Sequence, residues 1–232
     1  MILFHGDNPV ESRRNLHDKV VKDFSSLHDK IITLDGKKVV LGELKQNIEN
    51  SSLFGEKNIV LIENFFTRPK SKELTQIIAY LTLHQTYPIL FWEGKKVSPT
   101  QSKTFPQAQV IEAKISRQAY VFVESLGKNL PASLKQWREC VGQESAGSLH
   151  YALSSHVRRL LTVSEPTAKT PPWLKVKLDS QRKAIGETAL MWLHGQLIEL
   201  DYKNKTGTSA LDLGGELELL IINLYHKRYE NI

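Results

Sequence analysis

Short apolar runs alternate with helix-period segments through the first half of the chain. Ile2, Leu3 and Phe4 form one run, ended by Gly6. Asp7 or Asn8 can cap a helix that opens at Pro9, a residue favoured in the first helical turn, and Leu16, Val20, Val21 and Phe24 fall on one face of it. Ile31 to Leu34 reads as a second strand closed by Asp35-Gly36, and Val39 to Glu49 as a helix with Leu41, Leu44 and Ile48 inward. Asn58 to Glu63 is a continuous apolar strand, Lys72 to Leu83 a helix with Leu74, Ile77, Ile78 and Leu81 inward, Pro88 to Trp92 a further apolar strand and Ala108 to Glu112 a last short one. Strands that are apolar along their whole length, with helices between them, predict a parallel sheet covered on both faces.

The pattern changes after that. Strand-like runs vanish and helix periods dominate from Ser116. Leu149, Leu153, Val157, Leu160 and Leu161 line one helix face. Thr162 to Pro172 is a proline-bearing loop, Trp173 to Ile185 a helix, and Leu190, Leu193, Leu197 and Leu200 mark another stripe. Asn204 to Gly207 breaks the period and Leu217 to Tyr225 resumes it. The predicted architecture is an α/β domain over residues 1–113 and an all-α domain of about five helices over 114–232.

Composition changes this picture little. Of 232 residues, 41% are hydrophobic and 24% charged, ordinary for a globular protein. The net charge of +6 is compatible with work near nucleic acid, but no block of Lys and Arg forms a patch. The lone cysteine, Cys140, excludes an internal disulfide and a thiolate metal cluster. The opening MILFHGDNP is too soon interrupted by charge for a signal peptide, and Leu217 to Tyr225 falls short of the ~20 residues that span a bilayer. A cytoplasmic protein without membrane contact is expected.

A first strand ending in glycine invites a phosphate-loop reading, G-x-x-x-x-G-K-[ST], in which backbone N–H groups, a lysine and a hydroxyl converge on phosphate and magnesium. From Gly6 that frame puts Glu11 at the second glycine, Ser12 at the lysine and Arg13 at the hydroxyl. Pro9 removes a donor, and Asp7 and Glu11 repel phosphate. The strand at Asn58 likewise ends in Glu63-Asn64 in place of the acidic pair that binds magnesium. The eight histidines are scattered, and neither H-E-x-x-H nor G-x-S-x-G occurs. No catalytic residue, cofactor or metal ligand is assigned.

One segment stands out. Ser51-Ser52-Leu53-Phe54-Gly55-Glu56-Lys57 sets two large apolar residues side by side just before a strand. In isolation such a pair reads as core. Adjacent helix residues point about 100° apart, however, so Leu53 and Phe54 cannot both sit centrally on a narrow buried stripe. An exposed pair of this kind suits a hydrophobic pocket on a partner.

The opening strand with its degenerate phosphate loop, the S-L-F segment and the Val60-Leu61-Ile62-Glu63-Asn64 strand are together similar to the first domain of clamp-loader delta subunits of bacterial DNA polymerase III. Leu149 to Leu161, the stretch from Pro172 through Lys177, Gln181 and Arg182, and Leu197 to Gly207 followed by Leu217-Glu218 and Leu220-Ile221 resemble that family's later motifs. The resemblance implies a degenerate P-loop NTPase or AAA+-like α/β domain followed by a helical collar. It implies a subunit that binds and opens the sliding clamp through Leu53 and Phe54 without its own ATPase, with other loader subunits and primer-template DNA as further partners. A DNA role for Lys203 and Lys205, beside Thr206, is a further expectation. The chain departs from the family in one respect: Ala108 to Glu112 runs almost directly into Tyr120-Val121-Phe122, with no segment for the small helical lid. The alternatives are a DNA-binding helical module and a divergent P-loop NTPase.

Overall fold

The computed structural model describes residues 1–24, 30–49, 58–165 and 170–229. It is an N-terminal α/β domain with a parallel sheet, followed by an all-α region, as the periodicities predict. The two compact units are Met1–Lys114 and Ile115–Ile232.

In the first unit the strands are β1 (Ile2–Gly6), β2 (Lys30–Asp35), β3 (Asn58–Glu63), β4 (Ile89–Trp92) and β5 (Gln109–Ala113). They lie in the order β2-β3-β4-β1-β5, every described pairing parallel. The helices are α1 (Pro9–Asp23), α2 (Leu41–Glu49), α3 (Lys72–Leu83) and the short α4 (Pro99–Ser102), with a 3-10 turn at Phe65–Thr67. From β1 the chain crosses to the far edge, then returns strand by strand. Right-handed crossovers put helices reached in opposite directions on opposite faces. Accordingly α1 brings Leu16, Val20 and Phe24 to one face with Phe4, Ile59, Leu61 and Leu90. Helices α2 and α3 cover the other with Leu44, Ile48, Ile77 and Leu81 against Leu3, Val60, Ile62 and Phe91. The two faces account for the unbroken apolar runs of β3 and β4, since alternate residues serve different layers. Val21, which the sequence places on the inward face of α1, is 54% exposed. The helix presents the sheet with a stripe narrower than its apolar positions allow.

The second unit has six helices among its described residues: α5 (Arg117–Ser125), α6 (Leu130–Val141), α7 (Ala146–Thr162), α8 (Pro172–Ile185), α9 (Glu187–Thr206) and α10 (Leu213–Tyr229). Their starts are set locally. Ser116, Asn129 and Ser145 each accept a backbone N–H three residues on, satisfying donors that the first turn leaves unpaired. The core gathers Phe122, Trp137, Leu149, Leu153, Val157, Leu160, Leu190, Leu193, Leu197 and Ile221, all but sealed from solvent. Truncating one of its aromatics, Phe122 for example, costs ~3–5 kcal/mol in such a setting.

Candidate functional site

In an open parallel sheet, adjacent strands whose outgoing chains leave to opposite faces form a crevice at their carboxyl ends. Here those strands are the neighbours β1 and β4: α1 leaves β1 to one face, and the segment after β4 leaves to the other.

The strand-to-helix connection at β1 is only two residues long, Asp7 and Asn8. Asn8 is buried and its groups are engaged. Its N–H donates to the Ala113 carbonyl at 3.3 Å, its carbonyl accepts from Ser12 N–H at 2.9 Å, and its Oδ1 accepts from Glu11 N–H at 3.1 Å. A phosphate cradle needs several successive N–H groups turned toward the anion; here the Asn8 N–H goes to β5, those of Glu11 and Ser12 go to Asn8, and Pro9 has none to offer. Gly6 adopts φ 147°, and a Cβ there would lie 1.8 Å from the Ala113 carbonyl oxygen. The glycine permits close approach of the β5 backbone.

Arg13, on α1, reaches over the strand ends. Its Nη1 donates to Glu63 Oε1 at 2.6 Å, and its guanidinium carbon stands 3.8 Å from the centre of the Trp92 ring. Glu63 ends β3 and Trp92 ends β4, so one side chain clasps both strands. Asn64 follows in the left-handed region at φ 59°, its N–H donating to the Trp92 carbonyl at 2.9 Å. The position that a magnesium-holding carboxylate would take is thus paired with an internal cation. The Trp92 Nε1 and Ser12 Oγ are buried without a hydrogen-bond partner among the described residues.

Two buried titratable groups flank this region. Glu93, 1% exposed, accepts the Phe66 N–H at 2.8 Å. Burial pushes its carboxyl up to about 7, against the opposing pull of the Phe66 and Phe65 N–H groups and of Lys37. His5 accepts the Val97 N–H on Nδ1 at 3.3 Å, and burial lowers its pKa. Toward the sheet edge, Glu112 pairs with Lys96 at 2.7 Å and Lys114 at 3.4 Å, and the Lys96 hydrogen bond holds its carboxyl below the ordinary range.

Leu53 and Phe54 lie outside the described residues. Lys203 and Lys205, expected in a helix-breaking loop, instead occupy the last turns of α9, which runs on to a left-handed cap at Gly207 (φ 69°). Lysine, asparagine and threonine end the apolar stripe without ending the helix; the glycine does that. Each lysine pairs with an acid one turn back, Lys203 with Glu199 at 2.7 Å and Lys205 with Asp201 at 2.6 Å, and Glu216 adds a second negative charge near Lys203.

The motif around Gln181 has a structural role that its sequence does not announce. Gln181 Nε2 donates to the carbonyls of Val123 (2.8 Å) and Leu126 (3.0 Å) at the end of α5. Its Oε1 is therefore an acceptor, and His156 Nε2, 2.9 Å away, carries the proton. Burial drives the His156 pKa down to about 4. Cys140 is fully buried, with its thiol pushed up to about 11 by burial and then by Glu144 and Glu139, so it is not a poised nucleophile. Among the described residues no group of three or more His, Cys, Asp or Glu could hold a metal ion, and no helix is long and apolar enough to cross a membrane.

No family model matches the chain, and no curated protein matches it. Among solved structures, the DNA clamp loader delta protein of Bacillus subtilis is similar over 96% of this chain and 94% of its own, at 14% identity and a TM-score of 0.42.

Proposed function

We propose that this chain is a delta-type subunit of a bacterial clamp loader: an AAA+-like domain of residues 1–113 without nucleotide chemistry, joined to a helical collar domain of residues 114–232. It binds and opens the sliding clamp, for loading or unloading during DNA replication, through Leu53 and Phe54. The observation that carries the reading is the two-residue β1–α1 connection with Arg13 bound to Glu63 across the strand ends. It keeps the strand–helix frame of a nucleotide site while turning the charges of that site on one another, as a non-catalytic member of such an assembly requires. The ordered sequence motifs at both ends of the chain supply the family. Lys203 and Lys205 act within the assembly as phosphate contacts, exchanging weak surface ion pairs for DNA.

Capture of a purified bacterial sliding clamp by the full chain, compared with Leu53→Ala/Phe54→Ala, tests the proposal. Loss of such an anchor pair is expected to weaken clamp binding by at least ~2 kcal/mol, roughly thirtyfold. Unchanged affinity in a folded double variant would sink the site assignment. ATP turnover by the purified chain would favour a divergent NTPase instead. Tight, salt-sensitive DNA binding without a clamp, lost on removing both lysines, would favour a DNA-binding module.

A further inference from the structure

On the face of the first unit that α3 covers, a cleft of about 320 Å³ opens between the Phe65–Thr67 turn, α3 and α4. Its apolar surface comes from Phe66, Leu74 and Ile78, each only partly buried although packed against the sheet core. Its rim carries Arg68 and Lys70, and among the described residues no acidic one lines it. Two acids of the neighbouring segments are turned to other tasks: Glu73 accepts the Leu41 N–H at 2.7 Å, and the buried Glu93 accepts the Phe66 N–H at 2.8 Å. Lys70 has no carboxylate partner among the described residues, and Arg68 spends Nη1 on the Val39 carbonyl.

The cleft is preformed. Glu93 holds the Phe66 N–H and Gln101 Nε2 donates to the Phe66 carbonyl at 2.7 Å, so the turn that makes one wall is tied at both its polar groups. The uncharged side chains of Ser71, Thr75 and Gln101 around it are already engaged. Ser71 Oγ caps α3 by accepting from Leu74 N–H, and Gln101 Oε1 accepts from Ser98. A small cofactor needs a few convergent unpaired polar groups to fix its orientation, and these groups are engaged. What remains is apolar area beside positive charge. That combination fits an inserted side chain with acidic neighbours, in the manner of a peptide anchor.

We propose that this cleft docks a segment of a partner protein that carries bulky apolar side chains flanked by carboxylates. The volume has room for one or two such side chains, and Arg68 and Lys70 receive the flanking charge. The inference stands apart from the clamp reading, since it uses neither Leu53 nor Phe54.

A labelled hexapeptide of two glutamates, tryptophan, leucine and two glutamates, titrated against the full chain by fluorescence anisotropy at low salt, tests it. Binding at ~10–300 μM is expected, at least tenfold tighter than the same core flanked by lysines. Leu74→Lys should weaken it at least tenfold. Lys70→Glu, at an exposed position with no fold to disturb, should weaken it ~3–10-fold at low salt and little at high salt. Equal binding of acidic and basic peptides, no binding at millimolar concentration, or unchanged binding in Lys70→Glu would each overturn the proposal. So would saturation of the cleft by an aromatic sulfonate dye that the peptide cannot displace, which would mark it as a small-molecule site.

Discussion

The first unit keeps its polar groups where the strands end, and the second keeps them between helices. At the sheet ends the ion pairs are partly exposed, Arg13 with Glu63 and Lys96 with Glu112, beside the buried Glu93 and His5. Among the helices charged pairs such as Lys177 with Glu124 stay at the surface, and the buried polar groups are neutral. His156 shares Gln181 with two carbonyls of α5, and Ser125, Ser133 and Tyr225 form a hydroxyl cluster in which Ser133 and Tyr225 stand 2.7 Å apart. The reason is geometric. A parallel sheet must leave its carboxyl edge uncovered, so charge can gather there while remaining solvated. Packed helices have no such edge, and what they bury must be neutral and fully bonded. The buried polar groups of the second unit therefore hold the fold together, whereas the ion pairs at the sheet ends of the first shape a surface.

The sharpest way to break this comparison is Gln181→Leu. It strands the Val123 and Leu126 carbonyls and the His156 N–H together, three buried groups without partners. The expected loss is ~3 kcal/mol or more in urea unfolding, confined by hydrogen exchange to residues 115–232. A loss below ~1 kcal/mol would mean the network is not structural.

Acid and base should separate the two units next. His156 is held down to about 4 from 6.5, so its neutral form supports the fold fully above pH 6.5. That support is lost as pH falls from 6.5 through 4, a change of order 3 kcal/mol in the second unit. Glu93 is the reverse case. Its carboxyl is raised from 4.5 to about 7, so its contribution is fully present below 4.5 and is lost as pH rises through 7. Hydrogen exchange resolved by unit should show protection falling with acid in residues 115–232 and with base in residues 1–114. Glu93→Gln keeps an oxygen for the Phe66 N–H and removes the buried charge. It should stabilise the first unit by ~2 kcal/mol at about pH 8 and scarcely at all at about pH 5. Stabilisation equal at both values would show that the carboxyl titrates alike in the folded and unfolded chain, so that burial does not raise its pKa.

The sequence carries the elements well where the signal is local. Asn58 to Glu63 and Lys72 to Leu83 need only an apolar run and a capped stripe, and both form with the ends expected. It carries the site poorly where partners are distant. Arg13 and Glu63 are 50 residues apart, and nothing in the local pattern links a helix arginine to the end of β3. The cleft is assembled from three separate segments, each unremarkable alone. Lys203 and Lys205 mislead in the opposite sense: a break in apolar period reads as a loop, yet polar residues continue α9 to its glycine cap. The departure from the phosphate-loop pattern is legible in advance, because proline at residue 9 and glutamate at residue 11 can be read straight from the chain, and the two-residue connection accords with it.

Arg13→Ala should have the smallest effect on stability and bears most directly on the first half of the comparison. The arginine side chain is 44% exposed and its partner Glu63 25%, so solvent screens the pair. Exposed pairs of this kind contribute ~0–1 kcal/mol, and stacking on Trp92 adds ~0.5–1 kcal/mol. The variant should thus unfold within ~2 kcal/mol of the parent, less affected than Gln181→Leu. Trp92 reports the change separately, since losing the cation above its ring alters its fluorescence without requiring any loss of fold. If the crevice were a nucleotide site merely blocked by arginine, removing it would expose Glu63 and create triphosphate affinity. The two-residue connection and the spent donors of Asn8 argue otherwise, so magnesium-ATP should still fail to shift the melting temperature of Arg13→Ala. A shift would show that the arginine alone closes the site, and that the first unit's polar edge is a gated pocket and not a surface.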